Sequence, residues 1–351
     1  MNQHSYRKLI AGEKGSLFRG LLRFFLWCFC FIYRYVIGLR NLFYDKGWLR
    51  TFHVDATVIS VGNITVGGTG KTPVVIWVGK LLAQRSIPFA VLTRGYKTRR
   101  GRYDDEPAII GRSCPQGRLI VNANRVAGAQ KAIREYGSKV LLMDDGFQHR
   151  RLRRNLDIVT IDATCPFGFG YLLPRGLLRE PAESLKRAHA VIITRCDQTS
   201  PARLDQLERR IKHLNPDTAI ARSVHAPISV KMLRGEYSIE QLREKKIYAF
   251  CGVGNPDSFF AGLRKLKLDI VGSRVYNDHY QYRDADIRDI LEEALYLGAD
   301  LTLTTQKDWV KTALLATKQR EITLAYVKVK LEFIAGEDKI IEMIDATLNA
   351  L

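Results

Sequence analysis

Apolar residues along this chain fall into two kinds of run. Most are short and bounded by glycine or polar turns: Thr57 to Val61 (TVISV), Phe89 to Leu92, Val140 to Met143 (VLLM), Ile158 to Ile161 and Val191 to Thr194. Runs of this length, apolar at alternate and intervening positions alike, predict strands buried on both faces. Between them, Pro73 to Gln84 and Val126 to Tyr136 carry helical periodicity. Strands alternating with helices predict a parallel sheet covered on both sides. From Ile220 to Tyr237 the pattern changes: alternation in Ala221 to Val230, followed by Gly235, predicts an extended hairpin or linker. Lys246 to Phe250, a helix near Pro256 to Leu266 and Ile270 to Val275 then predict a fresh strand-helix-strand unit, with further strands at Leu301 to Thr304 and Ile322 to Val327. The expected organisation is an N-terminal segment over 1–50, an α/β domain over 51–220, a linker over 221–239 and a smaller α/β domain over 240–351.

The second kind of run lies near the start. Phe24 to Tyr33 (FFLWCFCFIY) carries no charge, and the wider stretch Leu17 to Leu39 is broken only by Arg19, Arg23 and Arg34. A spanning helix needs about 20 mostly apolar residues. The interruptions favour an amphipathic helix lying in a membrane interface, its aromatic and leucine side chains in the acyl boundary and its arginines at anionic headgroups. No small-residue cleavage site follows, so removal as a signal peptide is not expected.

Charge sharpens this picture. With 55 Lys+Arg against 36 Asp+Glu the net charge is +19, which favours an anionic partner: nucleic acid, an acidic membrane or a phosphorylated substrate. No helix-turn-helix, RRM, KH or zinc signature is present, so nucleic acid is not the expected partner. The basic runs Arg94 to Arg102 (RGYKTRRGR) and His149 to Arg154 (HRRLRR) are read as attracting phosphate and anionic lipid. Six cysteines, at 28, 30, 114, 165, 196 and 251, form no CxxC pair and read as free thiols. The 351 residues, 46% of them hydrophobic, suffice for two cores.

The segment after the first strand carries chemistry. In Thr65, Val66, Gly67, Gly68, Thr69, Gly70, Lys71, Thr72, the glycines let backbone N–H groups approach phosphate oxygens. Lys71 supplies a charge for the β and γ phosphates, Thr72 offers a hydroxyl to Mg2+, and the following helix points its positive end at the anion. Thr65 replaces the first glycine of the usual GxxxxGK[ST] pattern, a position that shapes the turn. Asp144 and Asp145, after the VLLM strand, fit the acidic group that holds Mg2+ or its water. Together these predict a P-loop kinase that binds ATP and Mg2+. Val66 stands where ParA/MinD-type ATPases carry an extra lysine, which argues against them. Thr194-Arg195-Cys196-Asp197 approaches the N/TKxD guanine-reading motif, so a P-loop GTPase switch or metal-chaperone-like regulator is the alternative.

SVGNITVGGTGKTP, LTRGYK, DDEP, MDDGFQH and FGFGYLLPRGLLREP occur in that order between Ser60 and Pro181, with DHYQY at Asp278 to Tyr282 and LTTQKDWVK at Leu303 to Lys311 beyond. This series resembles the tetraacyldisaccharide 4'-kinase (lipid A 4'-kinase) family; Asp104 stands where a glycine often precedes the DEP element. The resemblance implies two α/β/α domains joined by a two-stranded linker. It implies ATP- and Mg2+-dependent phosphorylation of the 4'-hydroxyl of an acylated glucosamine disaccharide 1-phosphate, giving lipid IVA at the cytoplasmic face of the Gram-negative inner membrane. The enzyme would be peripheral or monotopic there; oligomeric state stays open. It further implies Asp105 as the base taking the 4'-hydroxyl proton, with His279 as its partner. Glu106 and Glu180 are implied as additional acidic groups around Mg2+, and Gln148, His149 and Arg179 as nucleotide-site residues, Arg179 meeting phosphate.

Overall fold

The computed structural model describes residues 3–12, 17–95, 105–233, 235–316 and 322–350. They form two compact units, Met1–Val224 with Glu332–Leu351, and His225–Leu331. The first unit runs α1 (Gln3–Ala11), α2 (Leu17–Asp45), β1 (Thr57–Asn63), α3 (Lys71–Gln84), β2 (Phe89–Thr93), α4 (Asp105–Ser113), β3 (Arg118–Val121), α5 (Arg125–Tyr136), β4 (Val140–Asp144), β5 (Leu156–Asp162), β6 (Ala190–Thr194), α6 (Pro201–Leu214) and β7 (Ala219–Met232). Its strand order is β3-β2-β4-β1-β5-β6-β7, all parallel.

Residues of β1, β2, β4, β5 and β6 are buried along their whole length, as expected where helices cover both faces. Side chains divide by the two-residue period of a strand. Ala90, Leu92, Leu141 and Met143 meet Val126, Ala129 and Ala132 of α5, while Phe89 points the other way, against Gly79 of α3. Helix α5 is closed at both ends: the Asn124 side chain accepts from the Ala127 N–H, and Gly137 stops the helix in the left-handed region. The chain leaves β1 for β2, then returns to place β4 beside β1, with Val61 opposite Asp144. The carboxyl ends of β1 and β4 therefore flank the point where the strand order reverses, the usual binding crevice of an open α/β sheet.

In the second unit β8 (Glu236–Tyr237) turns back antiparallel on β7, and β9 (Lys246–Cys251), α7 (Pro256–Lys265), β10 (Asp269–Val275), α8 (Asp284–Tyr296), β11 (Leu301–Thr305), α9 (Gln306–Ala316) and β12 (Thr323–Ala335) follow. The order β10-β9-β11-β12 is parallel. Ile247, Ala249, Leu301 and Leu303 pack on one face; Tyr248, Phe250, Ile290 and Trp309 form the core on the other.

The division departs from the sequence expectation. It falls within β7, at Val224, and β12 carries the chain back to the first unit. There α10 (Glu337–Asn349) packs beside α3, with Trp77 Nε1 donating to Glu337 at 3.1 Å and Arg85 to Asp345 at 2.7 Å. Residues 332–351 thus belong to the larger unit, because α10 buries Ile340, Ile344 and Leu348 there.

Helix α2 is continuous for 29 residues despite its arginines, about 43 Å at 1.5 Å per residue. Its length and apolar character suffice for crossing a membrane. Phe25, Phe29, Ile32 and Val36 are each at least 51% exposed, whereas Cys30 is buried and Tyr33 packs on the core between β5, β6 and α6.

Candidate active site

The loop from Ile64 to Gly70 links buried β1 to α3. Gly67 (φ 108°) and Gly70 (φ 83°) take left-handed backbone geometry, so the turn that aims α3 at the crevice needs residues without a Cβ. The first half of the loop is held by the 167–181 segment: Val66 N–H donates to the Leu177 carbonyl at 2.8 Å, and Arg179 N–H to the Ile64 carbonyl at 2.8 Å. The second half is held through Thr69, whose hydroxyl bonds the Asn63 amide at 3.0 Å and the Thr160 hydroxyl at 2.8 Å. Thr194 Oγ1 donates to the Thr69 carbonyl at 2.9 Å, and Arg195 is ion-paired with Asp162. The TRCD element therefore braces the phosphate loop.

Lys71 and Thr72 open α3. Lys71 Nζ lies 3.2 Å from Asp145 Oδ1, and Arg179 donates to both oxygens of Asp145 at 2.8 and 3.1 Å, and to Asn63 Oδ1 at 3.2 Å. Burial would raise the Asp145 carboxyl, but Lys71 and Arg179 outweigh it and hold the group far below the usual carboxylate range. Asp144 behaves oppositely. It ends β4 fully inside, and burial, followed by the charge of Glu106, pushes it up to about 7 against the pull of Lys71. Thr93 Oγ1 donates to its Oδ2 at 3.3 Å. The adjacent aspartates thus separate into a charged clasp for Lys71 and a buried acid beside Glu106.

Arg125 was not legible as a site residue. It is buried, donates to the Asn122 carbonyl at 2.8 Å and the Asp144 carbonyl at 3.2 Å, and is lowered to about 10 by burial despite the two aspartates. Its sequence signal was an arginine within an otherwise apolar helix face.

Other expected residues have different occupations. Glu180 is wholly buried; its Oε2 accepts from Arg187 at 2.5 Å, while its Oε1, 3.8 Å from Arg40, has no hydrogen-bond partner among the described residues. Gln148 Nε2 donates to the Asn63 carbonyl, just before the loop, at 2.8 Å. His149 is lowered to about 4 by burial and then by Arg125, Arg154, Arg40 and Arg151, which keeps it neutral. Within HRRLRR, Arg150 pairs with Asp45 at 2.6 Å and Arg154 with Asp157 at 2.9 Å, so these arginines neutralise internal acids. The other basic run lies outside the described residues from 96 onward, as does the Asp105 side chain; its backbone opens α4. The six cysteines are free thiols.

In the second unit, the two remaining signatures meet. Tyr282 of DHYQY donates to Asp308 of LTTQKDWVK at 3.1 Å, and Asp308 also accepts from the Gly252 N–H at 3.0 Å and Thr305 Oγ1 at 2.7 Å. Tyr276 and Tyr280 each pack edge to ring with Tyr282 around the same turn, and are tilted against one another. His279 sits on this turn with φ 58°, half exposed, its Nε2 3.9 Å from Asp278.

Comparison with known proteins agrees with this arrangement. Residues 22–349 match the family described as LpxK, tetraacyldisaccharide-1-P 4'-kinase. The tetraacyldisaccharide 4'-kinase of Syntrophus aciditrophicus (strain SB) is 38% identical over 311 residues, covering 81% of this chain and 83% of that protein. That of Anaeromyxobacter sp. (strain Fw109-5) is 36% identical over 335 residues, covering 90% and 89%. The crystal structure of LpxK from Aquifex aeolicus in complex with ATP has a TM-score of 0.69 at 25% identity, covering 93% of this chain and 99% of that one. The match decides against the GTPase-switch alternative, and the chain belongs to the tetraacyldisaccharide-1-P 4'-kinase family.

Proposed function

We propose that this chain transfers the γ-phosphoryl group of ATP to the 4'-hydroxyl of a tetraacylated glucosamine disaccharide 1-phosphate, giving lipid IVA in lipid A synthesis. The observation that carries this reading is the Lys71–Asp145–Arg179 clasp at the mouth of a phosphate loop, in a chain of this family. The amides of the loop glycines cradle the phosphates, since those of Val66 and Thr69 are already bonded within the fold, and Lys71 exchanges Asp145 for the β and γ oxygens. Arg179 stays on Asp145 and faces the transferring group, where fixed positive charge lowers the barrier.

Thr72 and Asp144 offer only oxygen donors, which suits Mg2+, and the clustering of Asp144 with Glu106 leaves negative charge that a cation would relieve. When bound, Mg2+ neutralises charge on the β and γ phosphates. Asp144 is the better metal residue of the pair, since Asp145 keeps the bidentate bond from Arg179 after Lys71 has moved to phosphate.

Asp105 is proposed as the base for the 4'-hydroxyl, and His279 as a residue acting on the same step. Asp105→Ala is expected to lower kcat far more than it raises KM; a change confined to KM would make Asp105 a binding residue instead. The outward apolar face of α2 and the positive net charge support seating on an anionic membrane, proposed to be the cytoplasmic face of the inner membrane, where ATP is available.

A further inference from the structure

Helix α2 is more than an apolar surface. Along it Cys30, Tyr33, Arg40, Asn41 and Tyr44 recur at helical spacing and meet the first unit, while Phe25, Phe29, Ile32 and Val36 face outward. Cys30 and Tyr33 pack on an apolar cluster, and the remaining inward contacts are polar and specific. Tyr33 OH donates to the backbone carbonyl of Arg179 at 2.9 Å. Arg40 donates to the Gln148 carbonyl at 2.5 Å and lies 3.8 Å from the buried Glu180 carboxylate. Arg150 donates to the Asn41 carbonyl at 3.0 Å and pairs with Asp45 at 2.6 Å, its guanidinium over the Tyr44 ring.

These anchor points lead directly into the phosphate site. Gln148 donates to the Asn63 carbonyl; Asn63 bonds Thr69 of the loop through its amide nitrogen and Arg179 through its oxygen; Arg179 holds Asp145, which holds Lys71. Tyr33 grips the backbone of the same Arg179. The network therefore begins on the helix with the exposed apolar face and ends on the groups that meet the phosphates.

We infer that Tyr33 and Arg40 are positioning residues for phosphoryl transfer: the seating of α2 sets the geometry of Arg179, Asn63 and Lys71, so that the helix couples a lipid surface to the nucleotide site. The inference rests on the kinase reading for its turnover arm, but nucleotide affinity tests it without any acceptor. The experiment uses the full chain carrying Tyr33→Phe, which removes one hydroxyl, or Arg40→Met, which keeps the aliphatic stem. MgATP affinity and steady-state kinetics are measured in detergent micelles, alongside melting temperature and cosedimentation with vesicles of phosphatidylethanolamine and phosphatidylglycerol.

Each variant is expected to weaken MgATP binding or kcat by about fivefold to tenfold, the scale of one well-placed hydrogen bond. Cosedimentation and melting temperature should stay near wild type. The double variant should lose less than the product of the two, because both act through one network. Wild-type nucleotide affinity and kcat in folded Tyr33→Phe would overturn the inference. So would a loss of activity that tracks lost cosedimentation and recovers at saturating acceptor, since α2 would then serve only as an anchor. If wild type binds MgATP but transfers nothing to the lipid, the kinase reading fails while the affinity comparison still decides the positioning role.

Discussion

Helix α3 turns Val74, Val75, Val78, Leu81 and Leu82 into the sheet and presents its polar end, Lys71 and Thr72, to the crevice. Helix α2 is about twice as long and reaches the same site, yet it leaves Phe18, Phe25, Phe29, Ile32 and Val36 exposed; it meets the protein through Cys30 and Tyr33, which pack on an apolar cluster, and through polar bonds from Tyr33 and Arg40. The first is stabilised by apolar burial within the fold. The second turns most of its apolar surface outward and meets the fold through a narrow face, Cys30 and Tyr33 on an apolar cluster and the rest by polar contacts, unlike an ordinary surface helix. The contrast teaches that helical periodicity alone does not say which face meets the sheet. Residue type at the contact decides, and an outward apolar face calls for an apolar environment outside the chain.

The comparison breaks most visibly at Lys71. Lys71→Ala should lower kcat/KM by on the order of a thousandfold or more, about 4 kcal/mol of transition-state stabilisation, with the fold retained. Loss of the fold would instead make the clasp with Asp145 a structural ion pair.

A matched pair then weighs the two apolar faces. Leu82→Ala, at a fully buried position of α3, should cost about 2–5 kcal/mol in equilibrium urea unfolding. Phe29→Ala, at a position 57% exposed, should change stability by no more than about 0.5 kcal/mol. Equal costs would mean that α2 also packs within the fold. Phe29→Ser should weaken vesicle cosedimentation by about tenfold, as expected for withdrawing one aromatic side chain from lipid; unchanged cosedimentation would remove the outward face from the membrane account.

The smallest effect concerns the joint between α2 and the site. His149 has a folded pKa of about 4, below its unfolded value, so its contribution is present above the unfolded value of about 6.5 and is lost as pH falls toward 4. Discounting for the part of the ring that faces water, the loss should be on the order of 1 kcal/mol. His149→Gln should flatten that slope in pH-dependent thermal unfolding; an unchanged slope would place the acid sensitivity elsewhere.

The sheet was legible because buried parallel strands are short continuous apolar runs: Val140 to Met143 and Lys246 to Phe250 each lie within an observed strand. Helices α4, α6, α8, α9 and α10 do not appear in the sequence reading, although α8 and α10 carry apolar stripes at helical spacing, Ile287, Ile290 and Leu291 in one and Ile340, Ile344 and Leu348 in the other. The return of α10 to the first unit rests on Trp77 and Arg85, which are remote in sequence. In the candidate site, Lys71 and Thr72 stand out by motif and the aspartate pair by its place at the end of an apolar strand. The different charge states of Asp144 and Asp145 were not, because they follow from Glu106, Arg179 and burial. Asn63 lies within the SVGNITVGGTGKTP signature but its bonds to Thr69 and Arg179 are not readable from it, and Arg125, Tyr33 and Arg40 belong to no motif; only the fold brings them to the loop.

The most direct test is transfer of labelled γ-phosphate from ATP to a tetraacylated glucosamine disaccharide 1-phosphate in mixed micelles, with Lys71→Ala alongside. A labelled 4'-phosphorylated lipid is expected from the wild-type chain and none from the variant. Nucleotide hydrolysis that favours GTP, with no label in lipid, would overturn the kinase reading.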